Sequence, residues 1–457
     1  QPNIPRTELA EYHLEVNWDG KPVGNGLELN ARLRSLTRYG GLDGNAFALQ
    51  PVTGPGELVR TVRYALPLLP AGDYIVEVTA RSNRGVEAWA VESFDVKSTE
   101  RLSSLELESG WGEAGEPIVG TIAIETPFRD ERTLRIQLID RHGRALARRD
   151  YSVTEQEVKF SLATDSSMPG FLAVEAVLLD QEDPLTYAYE TYTNVKRGQR
   201  DFNFVMWGRL YSPRYLDVAE ELLARSGITS RLETSEVPWT SMTRAGMTYT
   251  PYCTSGLQHQ QWQAATQEHR GRRNLIKLDK RSVLAGNGEG GCWNDEPTVN
   301  ANLRKWMDAE RDFRSHGVLA YSMGDENETI GSCLHPACLA AYRRYLERQY
   351  GTIERLNSSW STSFDNLEEV QLSKADDNNA EQAFSQGNYS RWFDRRAFQT
   401  WNFANYVGRF GRAAQEIDPQ AKWGVEGTGW LDDDLDAIVR NSTWWVPYSI
   451  PAAEVIR

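Results

Sequence analysis

The sequence predicts two β-sandwich domains followed by a (β/α)8 barrel of the TIM type, and three observations lead to this multidomain fold class. The first two hundred residues contain short segments in which apolar and polar residues alternate. The remainder repeats a strand-then-helix pattern, and no glycine-rich phosphate-binding loop follows its first strand. We therefore expect domains at residues 1–98, 99–197 and 198–457, with the third incomplete after about strand six.

Period-two alternation marks the strands of the first two domains, and turn residues such as Pro70-Ala71-Gly72 and Met168-Pro169-Gly170 separate them. The strands are predicted at residues 60–69, 73–80, 91–96, 120–125, 134–140, 158–162 and 171–179. Short strands at this spacing are typical of β-sandwiches. Neither domain shows a catalytic constellation in its sequence, so we interpret both as accessory domains.

The third domain begins with a largely apolar run at residues 202–207, as expected for a strand buried on both faces. A helix at 215–226 follows and ends at Gly227. Further strands are predicted at residues 228–232, 246–252, 318–323 and 422–425, and further helices at 299–316, 339–350 and 388–417. Repeated β-then-α units indicate a parallel sheet with right-handed crossovers, which in this case favours a barrel.

Composition limits the classes of function. The formal net charge of −14 argues against a nucleic-acid partner. No run approaches the roughly 18 apolar residues of a membrane span. The chain is rich in aromatic residues, with Trp 15, Tyr 19 and Phe 14, and such rings either fill cores or face the C–H surfaces of sugars.

The start of the chain bears on localisation. It begins Gln-Pro-Asn without a Met or a signal peptide, which fits a mature secreted protein or an excised fragment. We expect a secreted or periplasmic location. The sequence does not decide between a monomer and a homo-oligomer.

The fourth predicted strand of the barrel runs directly into a cluster of carboxylates. Residues 318–323 are largely apolar, and Asp325, Glu326 and Glu328 follow. Functional residues of a barrel lie at the C-terminal ends of its strands. Because neighbouring carboxylates repel, the pKa of one of them rises, and a general acid must be protonated at neutral pH. The alternative is a solvated loop or a helix N-terminus, where acidic residues are also favoured.

Two other strand ends carry charged residues. Glu426 is flanked by glycines at the end of the fifth strand, where it contacts either a ligand or the backbone of its own loop. Arg231 lies on the second strand. A guanidinium inside a barrel must be paired, either with a bound sugar or with a protein carboxylate.

The four cysteines are too few for a disulfide scaffold, but three of them lie near the carboxylate cluster. Cys333-x-His335-x-x-Cys338 follows the fourth strand, and Cys292 precedes the helix before it. Thiolates and an imidazole suit tetrahedral Zn²⁺. The spacing also fits a Cys333–Cys338 disulfide, a Cys253–Cys292 disulfide, or free buried thiols.

From about residue 202 onward, and not in the two sandwiches, the chain resembles glycoside hydrolase family 42, the barrel β-galactosidases, or a distant relative of that family. The strongest stretch is residues 333–364. Its first part resembles the family's Cys-rich segment and the Phe-Arg-x-Trp-Leu helix behind it. Residues 349–364, Gln-Tyr-Gly-Thr-Ile-Glu-Arg-Leu-Asn-Ser-Ser-Trp-Ser-Thr-Ser-Phe, then follow the family's Lys-Tyr-Gly…Leu-Asn-x-x-Trp-Gly-Thr-x-Phe.

The resemblance implies a retaining glycoside hydrolase that cleaves β-galactoside-like bonds in oligo- or polysaccharides. Residues 321–326, Tyr-Ser-Met-Gly-Asp-Glu, match the register of the family's Trp-Gln-x-Asp-Asn-Glu, which gives Glu326 the role of general acid/base. Glu328, two residues later, is the alternative. Asp325 stands where the family's Asn would hydrogen-bond the sugar 2-hydroxyl.

The resemblance also implies residues that contact the substrate. Arg231 matches the family's second-strand Arg, and Trp239 matches the Trp shortly after it. Glu426 would be a substrate contact. Asp365 follows Phe364 where the family has a Trp that lines the sugar site, and this departure, with Asp325, leaves open a modified or charged galactoside or another β-linked pyranoside.

The family's metal site and its nucleophile complete what the resemblance implies. Cys292, Cys333, His335 and Cys338 would bind a structural zinc, and no organic cofactor is expected. The nucleophile of the family lies at the end of strand seven, so we expect it beyond Arg457. Glu426 is the best available nucleophile if the barrel closes within these residues.

Two rival functions remain. The first is a non-catalytic carbohydrate-binding relative, which the departures at Asp325 and Asp365 motivate. The second is a metal-dependent hydrolase that uses the Cys/His cluster for chemistry. Four protein ligands would close such a site, whereas a catalytic zinc keeps one position open.

Overall fold

A computed structural model describes the chain over most of its length. The described residues are 2–17, 26–40, 47–50, 61–125, 132–196, 202–207, 215–233, 239–251, 292–323, 335–372, 380–428 and 434–447. The chain divides into two compact units, Gln1–Lys196 and Arg197–Arg457.

The N-terminal half of the first unit is built from strands around one hydrophobic core, and the strands pair antiparallel except for β1, which is parallel to β7. A five-stranded sheet has the order β1-β7-β6-β3-β4, and β2 pairs with β5. The strands are β1 Asn3–Pro5, β2 His13–Asn17, β3 Glu28–Ser35, β4 Phe47–Ala48, β5 Thr61–Ala65, β6 Gly72–Ser82 and β7 Gly85–Lys97. Alternate residues of β6, including Tyr74 and Val76, are buried, as the alternation in the sequence predicts.

The C-terminal half of the first unit has a second core, between two further sheets. Their orders are β13-β10-β8 and β12-β11-β14-β15-β9. The strands are β8 Arg101–Leu107, β9 Trp111–Glu113, β10 Ile118–Glu125, β11 Arg132–Asp140, β12 Ala145–Val153, β13 Glu157–Leu162, β14 Phe171–Asp180 and β15 Asp183–Val195. Strand β14 is central in its sheet and buried on both faces.

Direct contacts join the two halves within this unit. The Ala71 N–H donates to the Leu185 carbonyl at 2.7 Å, and Arg6 forms an ion pair with Asp183 at 2.6 Å. The buried Glu175 carboxylate accepts from the Tyr39 N–H at 3.2 Å, and burial raises the pKa of Glu175. The predicted boundary at residue 98 lies between β7 and β8, so the two cores fall on either side of it.

The second unit alternates strands and helices. Its strands are β16 Val205–Trp207, β17 Ser230–Glu233, β18 Thr248–Pro251, β19 Tyr321–Ser322, β20 Trp423–Thr428 and β21 Trp444–Pro447. Its helices are α1 Leu216–Arg225, α2 Trp239–Ala245, α3 Glu296–Glu310, α4 Pro336–Tyr350, α5 Ile353–Trp360, α6 Ala380–Ser385, α7 Tyr389–Ile417 and α8 Leu435–Arg440. Short 3₁₀ helices occupy Arg311–His316 and Leu367–Glu369.

The six strands described in the second unit are parallel and neighbour one another in chain order. The sheets β16-β17-β18 and β19-β20-β21 are linked by a parallel bridge between Tyr249 and Val318. A barrel requires this order, whereas a doubly wound sheet reverses it. Among the described residues the strands do not close on themselves, so the eight-stranded barrel stays a prediction.

Helix α7 packs along this sheet and contributes much of the core of the second unit. Phe403, Val407, Phe410 and Ala414 are buried in one cluster with Val425 of β20. Gly411 lies on the same face, directly against the Trp423 indole. Within the described part of the chain, no helix is both long and apolar enough to cross a lipid bilayer.

We expect Gly411→Ala to destabilise the second unit by roughly 1–3 kcal/mol, because the added methyl overlaps the Trp423 indole in a packed core. The indole N–H is held by the Asn441 carbonyl at 2.8 Å, which opposes its displacement. Urea unfolding measures the effect. Glu416→Ala, an exposed change on the same helix, is the control and should stay within about 0.5 kcal/mol of the unmodified protein. Equal stabilities for the two variants would contradict this packing.

Candidate functional site

The strands β19 and β20 present polar side chains on the face that points away from the helices. Tyr321, Met323 and Val425 belong to the core shared with α7. Because successive residues of a strand point to opposite faces, Ser322 and Glu426 lie on the other face. Both are buried, and the Ser322 hydroxyl donates to the Glu426 carboxylate. A buried carboxylate thus lies beside the strand that leads to Asp325 and Glu326.

A second polar pair lies on the neighbouring strands β17 and β18. The Ser230 and Thr250 hydroxyls are fully buried and hydrogen-bonded at 3.0 Å. Parallel strands place their C-terminal ends at one edge of the sheet, where β16 ends in Trp207, whose side chain is 66% exposed. Trp207 is not among the site residues predicted from the sequence. Its position as an aromatic residue at the C-terminal end of a predicted barrel strand would have marked it as a candidate for the site.

Arg231 is paired with a protein carboxylate, which was one of the two partners that the sequence allowed. Its guanidinium is fully buried and forms an ion pair with Glu220 of α1, which is also fully buried. Since α1 supplies this partner, Arg231 points toward the helix layer. Its role in contacting substrate stays a prediction.

Several predicted site residues lie outside the described residues. They are Asp325, Glu326, Glu328 and Cys333. Trp239 begins helix α2, but its side chain is also outside the description. Their roles therefore remain predictions.

The segment 349–364 forms a self-contained structure around Asn357. The Asn357 side-chain oxygen accepts from the Thr362 hydroxyl at 2.8 Å and from the Phe364 N–H at 3.0 Å. Its amide nitrogen donates to the Phe364 carbonyl at 2.8 Å. Three of the positions that carry the resemblance thus close one turn, in which Ser361 adopts a left-handed conformation with φ 53°.

Two other residues of this segment converge on one buried carboxylate. The Tyr350 hydroxyl and the Trp360 indole N–H donate to the same Asp394 oxygen, at 2.5 and 2.7 Å. Burial raises the pKa of Asp394, while these two hydrogen bonds oppose the rise. Tyr350 and Trp360 therefore have structural roles, and Asp394, which supports the segment from α7, was missed because no local pattern marks it.

Asp365 follows this turn directly, at an exposed position. Its N–H donates to the Glu369 carboxylate at 3.2 Å. The contacts described for Asp365 are thus to its own loop, and its predicted substrate contact stays a prediction.

The two cysteines that the structure describes are buried. Cys292 and Cys338 are 5% and 1% exposed and belong to one hydrophobic cluster. The Asn294 N–H donates to the Cys292 sulfur at 3.4 Å. Such a bond stabilises a thiolate, the form in which cysteine binds zinc.

His335 has a structural role that competes with metal binding. Its Nδ1 caps helix α4 by accepting from the Ala337 N–H at 3.2 Å. In the neutral imidazole this places the proton on Nε2. To ligate a metal, Nδ1 would have to give up its hydrogen bond, or Nε2 would have to lose its proton. Among the described residues no three His, Cys, Asp or Glu side chains form a group that could hold a metal ion. The zinc site thus depends on Cys333 and stays a prediction.

Comparison with known families identifies a relative for part of the chain. Residues 298–423 match the family model Glyco_hydro_42, described as Beta-galactosidase. The match runs from α3 to the first residue of β20 and covers a minority of the 457 residues. The resemblance to glycoside hydrolase family 42 is confirmed over this segment. The chain is therefore related to glycoside hydrolases there.

Solved structures give weaker likenesses. The catalytic domain of β-amylase from Paenibacillus polymyxa is 12% identical, with 53% of this chain and 72% of that chain covered and a TM-score of 0.33. A family 2 glycosyl hydrolase from Bacteroides cellulosilyticus DSM 14838 is 11% identical, with 97% and 51% covered and a TM-score of 0.27. Bacteroides uniformis β-glucuronidase 3 is 9% identical, with 95% and 49% covered and a TM-score of 0.28.

These scores are too low to establish a shared fold. The chain spans about half the length of each of the two Bacteroides enzymes. No curated protein matches the sequence.

Replacing Asp394 by Asn should flatten the pH dependence of stability. A carboxyl group whose pKa is raised by folding stabilises the folded state. This contribution is complete below the pKa of the unfolded chain, near 3.8, and is lost as pH rises through the folded pKa. The Asn oxygen still accepts from Tyr350 and Trp360 but does not titrate. We therefore expect the stability of the unmodified protein, relative to Asp394→Asn, to fall as the pH rises above the unfolded pKa of the aspartate and through its raised folded pKa.

Urea unfolding at several pH values measures this difference. Asp365→Asn makes the same chemical change at an exposed position and serves as the control. The free energy of unfolding of the unmodified protein, minus that of Asp394→Asn, should fall as pH rises. If it stays constant or grows instead, Asp394 is not buried and hydrogen-bonded as described.

Proposed function

We propose that this relative of glycoside hydrolase family 42 is a retaining glycosidase whose general acid/base is Glu326. The observation that carries the proposal is the family match at residues 298–423, because that segment contains the end of the fourth strand and the turn around Asn357. The proposed substrate is a β-galactoside-like bond in an oligo- or polysaccharide.

The sheet geometry supports this location for the chemistry. Strand β19 ends three residues before Asp325, and on its inner face Ser322 is bonded to Glu426 of the next strand. Polar groups buried on the inner face at a strand's C-terminal end are what a barrel active site requires. We propose that the six described parallel strands are part of such a barrel. Its active site would lie at the C-terminal ends of the strands, where β16 ends in Trp207.

In the proposed reaction Glu326 first protonates the leaving glycosidic oxygen. A second carboxylate, about 5–5.5 Å away, attacks the anomeric carbon and forms the glycosyl-enzyme. Glu326, now ionised, then takes a proton from water as this water displaces the enzyme carboxylate. Asp325 would position the sugar, and Trp239 and Asp365 would line it, whereas Arg231 would support the strand from the helix side through its ion pair with Glu220. Of the described carboxylates, Glu426 lies on the strand next to β19, and we propose it as a substrate contact.

The variant Glu326→Gln tests the assignment. It preserves shape and hydrogen bonding but cannot donate the proton, so kcat on an unactivated β-galactoside should fall roughly 10²- to 10⁴-fold with unfolding unchanged. The rate of the first step should fall less for an aryl galactoside with a good leaving group, because that group departs with less help from a proton donor.

Glu328→Gln is the matched control, since it makes the same change two residues later. If Glu328→Gln loses activity and Glu326→Gln does not, the register of the resemblance is wrong by two residues. If an intact full-length protein that includes this chain binds galactosides in calorimetry but releases no reducing ends, the chain belongs to a non-catalytic carbohydrate-binding relative.

We also propose a structural zinc held by Cys292, Cys333, His335 and Cys338. Two features of the described residues support it. Cys292 and Cys338 are buried in one cluster, and a backbone N–H points at the Cys292 sulfur. Binding through His335 would replace its bond to the helix α4 N-terminus. The zinc would tie the segment before α3 to the segment before α4.

Metal analysis of the purified protein should find about one zinc per chain, and Cys292→Ser or Cys338→Ser should abolish it and lower the unfolding temperature. Cys253→Ser is the control and should keep the metal. A metal-free protein with two disulfides, found by thiol titration under denaturing conditions, would overturn the zinc proposal and leave the glycosidase proposal standing.

A further inference from the structure

A cleft of about 410 Å³ lies between helices α4 and α7, and the strands contribute none of the residues that line it. Its volume falls within the range of small-molecule sites, about 300–1,000 Å³. One wall carries Arg344, Glu347 and Arg348 from α4, and the other carries Trp401, Asn405 and Arg409 from α7. Cationic side chains thus concentrate here on a chain whose net charge is −14.

The three arginines differ in how their charge is balanced. Arg409 makes a bidentate ion pair with Glu296, at 2.9 and 2.7 Å, so its charge is compensated. Arg344 and Arg348 are exposed and lie one turn apart on α4, and no ion pair involves either of them within the described part of the chain. Two guanidinium groups one turn apart can bind a single carboxylate together.

Arg348 is held in place before any ligand arrives. Its guanidinium carbon lies over the Trp401 ring, 4.3 Å from the ring centre, in a cation–π contact. The Trp401 ring is itself fixed by Tyr345, with ring centroids 5.5 Å apart. Preorganisation of this kind lowers the entropy lost when a ligand binds.

We propose that this cleft binds a sugar acid, a monosaccharide-sized ligand that carries one carboxylate and several hydroxyls. Arg344 and Arg348 bind the carboxylate. Glu347 and Asn405 supply acceptors for the hydroxyls, since the Asn405 amide nitrogen is already engaged by the Trp401 carbonyl at 2.7 Å. The proposal does not depend on the proposed glycosidase activity.

Calorimetric titration of the whole protein with D-glucuronate, D-glucose and inorganic phosphate tests the proposal. We expect glucuronate to bind, with affinity that falls as salt is added, and glucose and phosphate to bind at least tenfold more weakly. Arg344→Gln and Arg348→Gln should each weaken glucuronate binding about tenfold, because each removes charged hydrogen bonds to the carboxylate.

Arg355→Gln, an exposed change on α5 outside the cleft, is the matched control and should bind glucuronate as the unmodified protein does. Glucuronate binding that is absent, or that is equal in the unmodified protein and both cleft variants, overturns the site. Phosphate binding as tight as glucuronate, and lost in the same variants, overturns the sugar acid as ligand. Calorimetry reads binding without turnover, so failure of the glycosidase proposal would leave these outcomes unaffected.

Discussion

The register between β19 and β20 decides which side chains of the second unit meet the core and which face the inner side of the sheet. It is fixed by two backbone bonds, from the Tyr321 N–H to the Lys422 carbonyl at 2.8 Å and from the Met323 N–H to the Gly424 carbonyl at 2.6 Å. A slip by one residue would bury Ser322 against the helices and expose Met323 to the inner face. On the other side of β20, Gly424 allows close approach to β21, because a side chain there would overlap the backbone of Trp444.

Helix α7 connects this sheet to other parts of the second unit through its packing contacts and hydrogen bonds. Its C-terminal part packs on the sheet through residues such as Phe410, whereas its N-terminal part holds the 349–364 segment through Asp394. Phe398 lies between these parts, in the cluster that also contains Cys292 and Cys338. The sheet, the turn around Asn357 and the proposed zinc ligands therefore share one support, and a change in α7 affects all three.

Charge is distributed unevenly over the second unit. Arg231 and Glu220 compensate each other where both are fully buried, and a lone charge in that position would be costly. At the α4–α7 cleft, by contrast, Arg344 and Arg348 are exposed and their charge costs little until a ligand removes water from them. Buried pairs of this kind belong to folding, while the exposed guanidinium groups are free to serve binding.

The sequence by itself determined the strand-rich first two hundred residues, the parallel β-then-α repeat and the family segment, because alternation, helical periodicity and the 349–364 motif are local patterns. It also limited Arg231 to two kinds of partner. Only the tertiary structure decided that this partner is Glu220, that Ser322 meets Glu426 across 104 positions of sequence, and that Asp394 receives Tyr350 and Trp360. Such pairs depend on strand register and helix packing, and no local pattern encodes which distant side chain will fill a given place.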